Sequence, residues 1–171
     1  MATILKKRKT YVDVTKNWAR KKVNDSKITR RNFIKINEVV YKIKKGSRDV
    51  IPNSDKNVEL IAEWLRETFG GRIYINPEIK QPENIRTPDF IFRNKQWELK
   101  TTSRDSWLVI IDKVKEGKGQ ANNFIIDLSK SKITKEKIFW QINELYLQFD
   151  WVGNIIVKTK YGYNVFRKNK N

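Results

Sequence analysis

A chain of 171 residues with 37 Lys/Arg against 19 Asp/Glu carries a formal net charge of +18, on 39% hydrophobic and 12% aromatic residues. That is enough apolar surface for a real core, and the length suits one domain, or one domain with a basic extension. Cysteine and histidine are both absent, which excludes disulfide scaffolds, thiolate or imidazole zinc sites, Ser-His-Asp triads and imidazole acid–base pairs. Any hydrolysis must run on carboxylates, lysines and hydroxyls, with room for a hard metal held by oxygen.

The charge is unevenly placed. Residues 1–50 hold 16 Lys/Arg against 4 Asp/Glu, so two-thirds of the excess falls in under a third of the chain. A field of this kind attracts polyanions and speeds encounter with them. No run of apolar residues is long enough to span a membrane, and no stable membrane association is expected. The opening MATILKKRKT lacks the apolar run of a signal peptide, so export would depend on another segment or machine.

In chain order, residues 1–50 read as a basic N-terminal region with short apolar runs, and residues 51–171 as the main domain. YVDV, FIKI and VVYKI are the runs; the last alternates as a strand and ends at the turn KKGSRD. Trp18 and Val23 suit a short helix. The region either packs on the main domain or stands as a nucleic-acid arm. NSDKNVELIAEWLRETFGG is the clearest helix: Asn53, Ser54 and Asp55 offer caps, Gly70-Gly71 a stop, and Val58, Ile61, Ala62, Leu65 and Phe69 one apolar face.

RIYIN is then a strand, and TPDFIF and QWELKTT are two strands joined by a turn at Arg93-Asn94-Lys95. SWLVIIDKVKEGKGQ fits either strand or helix; helix is preferred, because it would cross over to strand NFIIDLS. A second amphipathic helix, capped by Thr134, follows in TKEKIFWQINELYLQF. WVGNIIVKTK and YGYNVFRK close the chain as a hairpin around Tyr161-Gly162.

Chemistry concentrates at Pro88-Asp89 and, after eight intervening residues, Glu98-Leu99-Lys100. Glu98 and Lys100 lie two apart on one strand and share a face; the turn brings Asp89 on the partner strand to the same patch. Two carboxylates form a hard oxygen site for Mg2+ or Mn2+, or another divalent cation, suited to phosphodiester hydrolysis. Lys100 would orient the attacking water or neutralise charge on the phosphate. The competing reading is a surface hairpin with an ordinary cross-strand ion pair.

The runs AEWLRETFGG, NPEIKQPENIRTPDFIF, QWELKTT and KGKGQANNFIIDLS resemble the C-terminal tRNA nuclease domain of CdiA-type contact-dependent growth inhibition toxins, over roughly residues 55–168. The resemblance implies an α/β fold of the PD-(D/E)XK nuclease kind, a mixed central sheet flanked by helices, here with the basic N-terminal extension. It implies metal-dependent cleavage of tRNA, export from a producer, action in the cytoplasm of a neighbouring cell, and a cognate immunity protein; the charge of the chain leads one to expect an acidic one. Asp89, Glu98 and Lys100 fall on the core motif. An acidic residue of the first helix joins the metal site in such proteins, with Glu59 favoured over Glu63, and Gln120 matches a polar position after the motif. Glu59 and Glu63 equally suit a solvated helix face, and Gln120 a helix end.

Lys100, Thr101, Trp107 and Lys118 are the expected nucleic-acid contacts, with Thr102 a further hydroxyl. Of the six tryptophans, Trp107 is the stacking candidate, whereas Trp64 and Trp140 suit core or interface positions. Two rival functions remain open on the sequence: a DNA-directed nuclease of the same fold, and a non-catalytic basic nucleic-acid-binding protein.

Overall fold

The computed structural model describes residues 8–170; the opening MATILKK, part of the segment without a leader-like apolar run, lies outside them. In chain order the elements are β1 (Tyr11–Asp13), α1 (Thr15–Arg20), β2 (Ser26–Arg30), β3 (Phe33–Ile36), β4 (Val39–Lys42), β5 (Val50–Ile51), α2 (Lys56–Phe69) and β6 (Gly71–Ile75). There follow β7 (Glu78–Ile79), β8 (Phe90–Phe92), β9 (Lys95–Thr101), α3 (Val109–Glu116), β10 (Asn123–Leu128), α4 (Lys135–Gln148), β11 (Ile155–Thr159) and β12 (Gly162–Lys168). Eight strands form one mixed sheet in the order β1-β12-β11-β10-β9-β8-β6-β2. β9, β10 and β11 run parallel, as does the pair β2 and β6, while β8 is antiparallel to both its neighbours. The expected mixed sheet flanked by helices is therefore the observed architecture.

Alternation along each central strand feeds two cores, one on either face. Phe124, Ile126, Leu128, Ile155 and Val157 pack under α3 and α4. Phe90, Phe92, Trp97, Leu99, Ile125 and Ile156 pack under α2. The apolar face read for α2 is the buried one: Val58, Ile61, Ala62, Leu65 and Phe69. Asp55 caps that helix by accepting from the backbone N–H of Asn57 at 2.8 Å, and Gly70 ends it at φ 68°. A Cβ at Gly70 would stand 1.7 Å from the carbonyl oxygen of Val23, so only glycine fits there.

The crossover helix α3 has no side-chain cap of its own. Its free N–H groups are met from α4, where fully buried Gln141 accepts from Ile110 N at 2.8 Å. The turn at Arg93-Asn94 uses left-handed backbone at both residues, φ 48° and 60°, a geometry that matches the twist of a tight hairpin.

Strand pairing crosses the expected boundary near residue 50, and of the two readings of the basic region the structure shows packing on the main domain. β1 adds to the sheet along β12, and β2 adds along β6. Trp18 of α1 makes edge contacts with Phe69 and Trp97, with ring centroids 5.5 and 5.9 Å apart, and Arg93 stacks over it at 4.4 Å. Residues 11–30 thus complete the sheet and the core beneath it. β3 and β4 stand apart from that sheet as a two-stranded ribbon, as does the short pair β5–β7, and the ribbon is carried on a small cluster of Ile34, Val50 and Ile79.

Candidate active site

Register sets the site. Phe90 pairs with Trp97, so the next positions outward, Asp89 and Glu98, face each other across the β8–β9 ladder. Asp89 is held from three directions. Its Oδ2 accepts from Leu99 N at 2.9 Å, its Oδ1 accepts from the Asn53 amide at 3.2 Å, and its own carbonyl accepts from Asn76 N at 2.9 Å. Those bonds leave the carboxylate little freedom to turn away.

Glu98 lies beside it, 4% exposed, over the α3 side of the sheet. Its Oε1 is 3.6 Å from the Lys100 ammonium, and its Oε2 is buried without a hydrogen-bond partner. Burial, reinforced by the Asp89 charge and opposed by Lys100, pushes the Glu98 carboxyl up to about 8. Burial also raises Asp89, against the pull of its hydrogen bonds and of Lys100. Two carboxyls this close cannot both ionise cheaply, so the pair requires either a proton or a cation. The orphaned Oε2 is the atom that such a cation would satisfy.

Lys100 reaches across to Gln120, whose Oε1 accepts from its ammonium at 3.1 Å. The side chain runs against Gly117 at the end of α3, where an added Cβ would crowd Lys100 Cε at 3.3 Å. Gln120 Oε1 also accepts from Arg86 at 3.3 Å, and that guanidinium bonds the carbonyl of Glu116. Asp89, Glu98, Lys100 and Gln120, separated by up to 31 positions in sequence, therefore stand in one patch with Arg86 at its edge.

Glu59 is not brought into it. α2 packs on the opposite layer from Glu98, and Glu59 pairs with Arg30 of β2. Among the described residues no group of three or more Asp or Glu side chains gathers as a cation site. The expected third ligand is replaced here by a relay: Arg30 bonds the Asn53 carbonyl at 2.6 Å, and the Asn53 amide holds Asp89. Glu63 is likewise taken up on the helix surface, by Arg66 at 2.8 Å.

Thr101, next after Lys100, belongs by alternation with Trp97 and Leu99 on the α2 side, and its buried hydroxyl has no partner. Thr102 turns its hydroxyl to Arg104 N at 3.2 Å, closing a local turn. Lys118 is exposed in the turn before Gln120. Trp107 is 43% exposed, with Trp140 at 42% edge-on at 5.5 Å and the Lys137 ammonium 5.7 Å from its ring. Trp140 thus stays at the surface beside Trp107, outside the core, while Trp64 packs edge-on against Phe69 and Tyr163. Asn53 and Arg86 escaped the sequence reading. Asn53 looked like a helix cap, and nothing local to Arg86 distinguishes it from other surface cations.

Comparison with known proteins adds an independent likeness. Residues 86–162 match the family model described as the contact-dependent growth inhibition CdiA C-terminal domain, somewhat less than half of the chain. A solved CdiA-CT/CdiI toxin and immunity complex from Burkholderia pseudomallei is 23% identical with a TM-score of 0.47, covering 69% of this chain and 92% of that one. A structural likeness this distant decides nothing. No curated protein matches. Over residues 86–162, which carry Asp89, Glu98, Lys100 and Gln120, the chain is similar to the CdiA C-terminal domain of contact-dependent growth inhibition.

Proposed function

We propose that this protein is a divalent-metal-dependent nuclease of the PD-(D/E)XK kind, that its substrate is tRNA, and that it acts as a growth-inhibiting toxin. The observation that carries the reading is half-buried Asp89 beside buried Glu98, with a Glu98 oxygen that no donor reaches and Lys100 at 3.6 Å. The pair fits Mg2+ or Mn2+: all its donors are hard oxygens, the single Lys100 ammonium only partly offsets two carboxylates, and one Glu98 oxygen has no donor. When bound, such an ion would polarise the phosphoryl oxygen and lower the pKa of a coordinated water.

The chain's own residues account for the rest. Asp89 and Glu98 would hold the ion, with Asp89 kept in place by Leu99 N and Asn53. Lys100, oriented by Gln120, would place an ammonium against the phosphate where charge accumulates in the transition state. Arg86 adds a second cation at the rim, shared through the same Gln120 oxygen. The net charge of +18 draws the polyanion in.

The toxin part of the reading is supported by the family match alone. It carries with it delivery from a producing cell, action in the cytoplasm of the recipient, and an immunity protein. Electrostatic capture favours an acidic one. No helix of the described residues is long and apolar enough to cross a membrane.

The test is to incubate purified protein with total tRNA and, separately, with plasmid DNA, with Mg2+ or Mn2+ and with EDTA. Cleavage of tRNA only with the ion is the expected result. Cleavage of plasmid instead would make it a DNA-directed enzyme. Binding without cleavage under every ion would leave a non-catalytic nucleic-acid-binding protein.

A further inference from the structure

Beside the carboxylate pair opens a cleft of about 460 Å³ that no part of the reading above uses. One wall is the ribbon β3–β4, through Ile36, Val39 and Tyr41; the other is the segment 84–88 with the turn at Gly119 and Gln120. Pro88, the residue before Asp89, and Gln120, the partner of Lys100, both line it. The cleft therefore borders the candidate active site through Pro88 and Gln120.

The ribbon shares no hydrogen bonds with the main sheet. A two-stranded ribbon alone is marginal in water; this one is held by Ile34 against Val50 and Ile79, with Tyr41, Ile36 and Ile85 packed around them. Its tight turn places Asn37 and Glu38 in left-handed backbone, φ 47° and 67°, which directs the Asn37 side into the cleft wall. The ribbon thus presents an aromatic ring and an amide to the mouth of the site.

The chemistry of the lining is specific. Tyr41, Ile36 and Pro88 give flat apolar surface; Asn37, Asn84 and Gln96 each offer an amide with both donor and acceptor. Arg86 is the one charge, and none of the lining residues is acidic. Flat apolar walls, amides and a guanidinium suit a planar heterocycle attached to a phosphate. The volume lies within the range of about 300–1,000 Å³ typical of small-ligand sites.

We propose that this cleft takes up one unpaired nucleobase of the substrate strand, beside the phosphate at Asp89 and Glu98, and thereby confines cleavage to single-stranded or looped nucleic acid. The inference rests on the nuclease reading for the phosphate, and adds to it the strand state of the substrate. Tyr41 stacks on the base, the amides meet its edge, and Arg86 bridges from the base's phosphate to Gln120. A base within a duplex must first leave its stack and give up its pairing, so duplex substrates are disfavoured at this cleft.

The experiment uses the full chain in EDTA at physiological ionic strength, where binding is read without chemistry. A labelled mixed-sequence RNA oligonucleotide is titrated by fluorescence anisotropy, single-stranded and annealed to its complement. Wild type should bind the single strand about tenfold more tightly than the duplex. Tyr41→Leu, which keeps apolar packing on Ile34 but removes the ring, should lose about tenfold on the single strand and little on the duplex. Asn37→Gly removes an amide while suiting the left-handed turn, and should reduce the preference about threefold with thermal stability unchanged. Equal affinity of wild type for the two forms overturns the proposal, as does an unaltered preference in both variants. Cleavage with Mn2+ that ignores strand state also overturns it while leaving the nuclease standing. A preference that the variants abolish, in a protein that cleaves nothing, leaves the cleft standing and removes the nuclease.

Discussion

Gln120 Oε1 accepts a hydrogen bond from Lys100 Nζ at 3.1 Å, and so ties the turn after α3 to the C-terminal end of β9. Without it the ammonium would have only Glu98, 3.6 Å away, as a fixed partner. An ion pair with Glu98 alone would draw Lys100 toward the carboxylates and away from a bound phosphate. We expect Gln120→Ala to lower kcat by about tenfold with KM changed little, because the lost interaction is one realised in the transition state. Single-turnover kinetics on tRNA decide it; an unchanged kcat would remove Gln120 from the site.

Asp89→Ala and Glu98→Ala should each abolish cleavage while the protein still unfolds cooperatively. Calorimetric titration with Mn2+ should show binding lost in both variants. Lys100→Ala should also lose turnover yet keep Mn2+ affinity, since an ammonium does not ligate a cation. Full activity in either carboxylate variant would end the PD-(D/E)XK reading.

Glu98 makes the stability of the metal-free protein depend on pH. Its carboxyl lies at about 8 in the fold against an ordinary 4.5, so between those values the folded state holds a proton that the unfolded chain has released. The contribution is full below 4.5 and is lost as pH rises through about 8. The melting temperature should therefore fall across that interval, Glu98→Gln should flatten the fall, and added Mn2+ should restore stability at the alkaline end. A wild-type profile as flat as that of Glu98→Gln would show that the pair is not protonated in this way.

Glu59 and Asn53 should behave in opposite ways. Glu59 is paired with Arg30, so Glu59→Ala should keep cleavage within about threefold, the size of a lost exposed ion pair. Asn53 is 4% exposed and bonded to Asp89. Asn53→Ala should cost about 1 kcal/mol of stability and roughly tenfold in kcat/KM as Asp89 gains freedom. Loss of activity in Glu59→Ala with Mn2+ affinity gone would instead return Glu59 to the metal site.

Removing residues 1–45 should unfold the protein, because β1, α1 and β2 would leave both edges of the sheet and expose Phe69 and Trp97 beneath Trp18. Replacing only the ribbon 33–42 with a short glycine linker should preserve cooperative thermal unfolding. If the first truncation melts like wild type, the sheet order given above is wrong.

Much of this protein was legible in one dimension. The helix at Lys56–Phe69 and the hairpin carrying Asp89, Glu98 and Lys100 follow from local rules, while the crossover through α3 was preferred over a strand from the topology it allows. Apolar periodicity, capping residues and the turn at Arg93-Asn94 act over a few positions, and a PD…ExK spacing on paired strands converges by geometry alone. The absence of histidine and cysteine likewise restricted the chemistry before any fold was known. What lay beyond the sequence was every relation between distant segments. β1 meets β12 across more than 150 residues, and a three-residue strand carries too little pattern to announce its partner. The family resemblance puts an acidic residue of the first helix at the metal site and so favours Glu59, but it does not say which layer of the sheet that helix covers here. Arg30 claims Glu59, and Asn53, read as a cap, holds Asp89 instead. Those outcomes depend on which strand supplies the sheet's edge and which helix covers which face, choices made by the packing of the whole core, to which no short window of sequence has access.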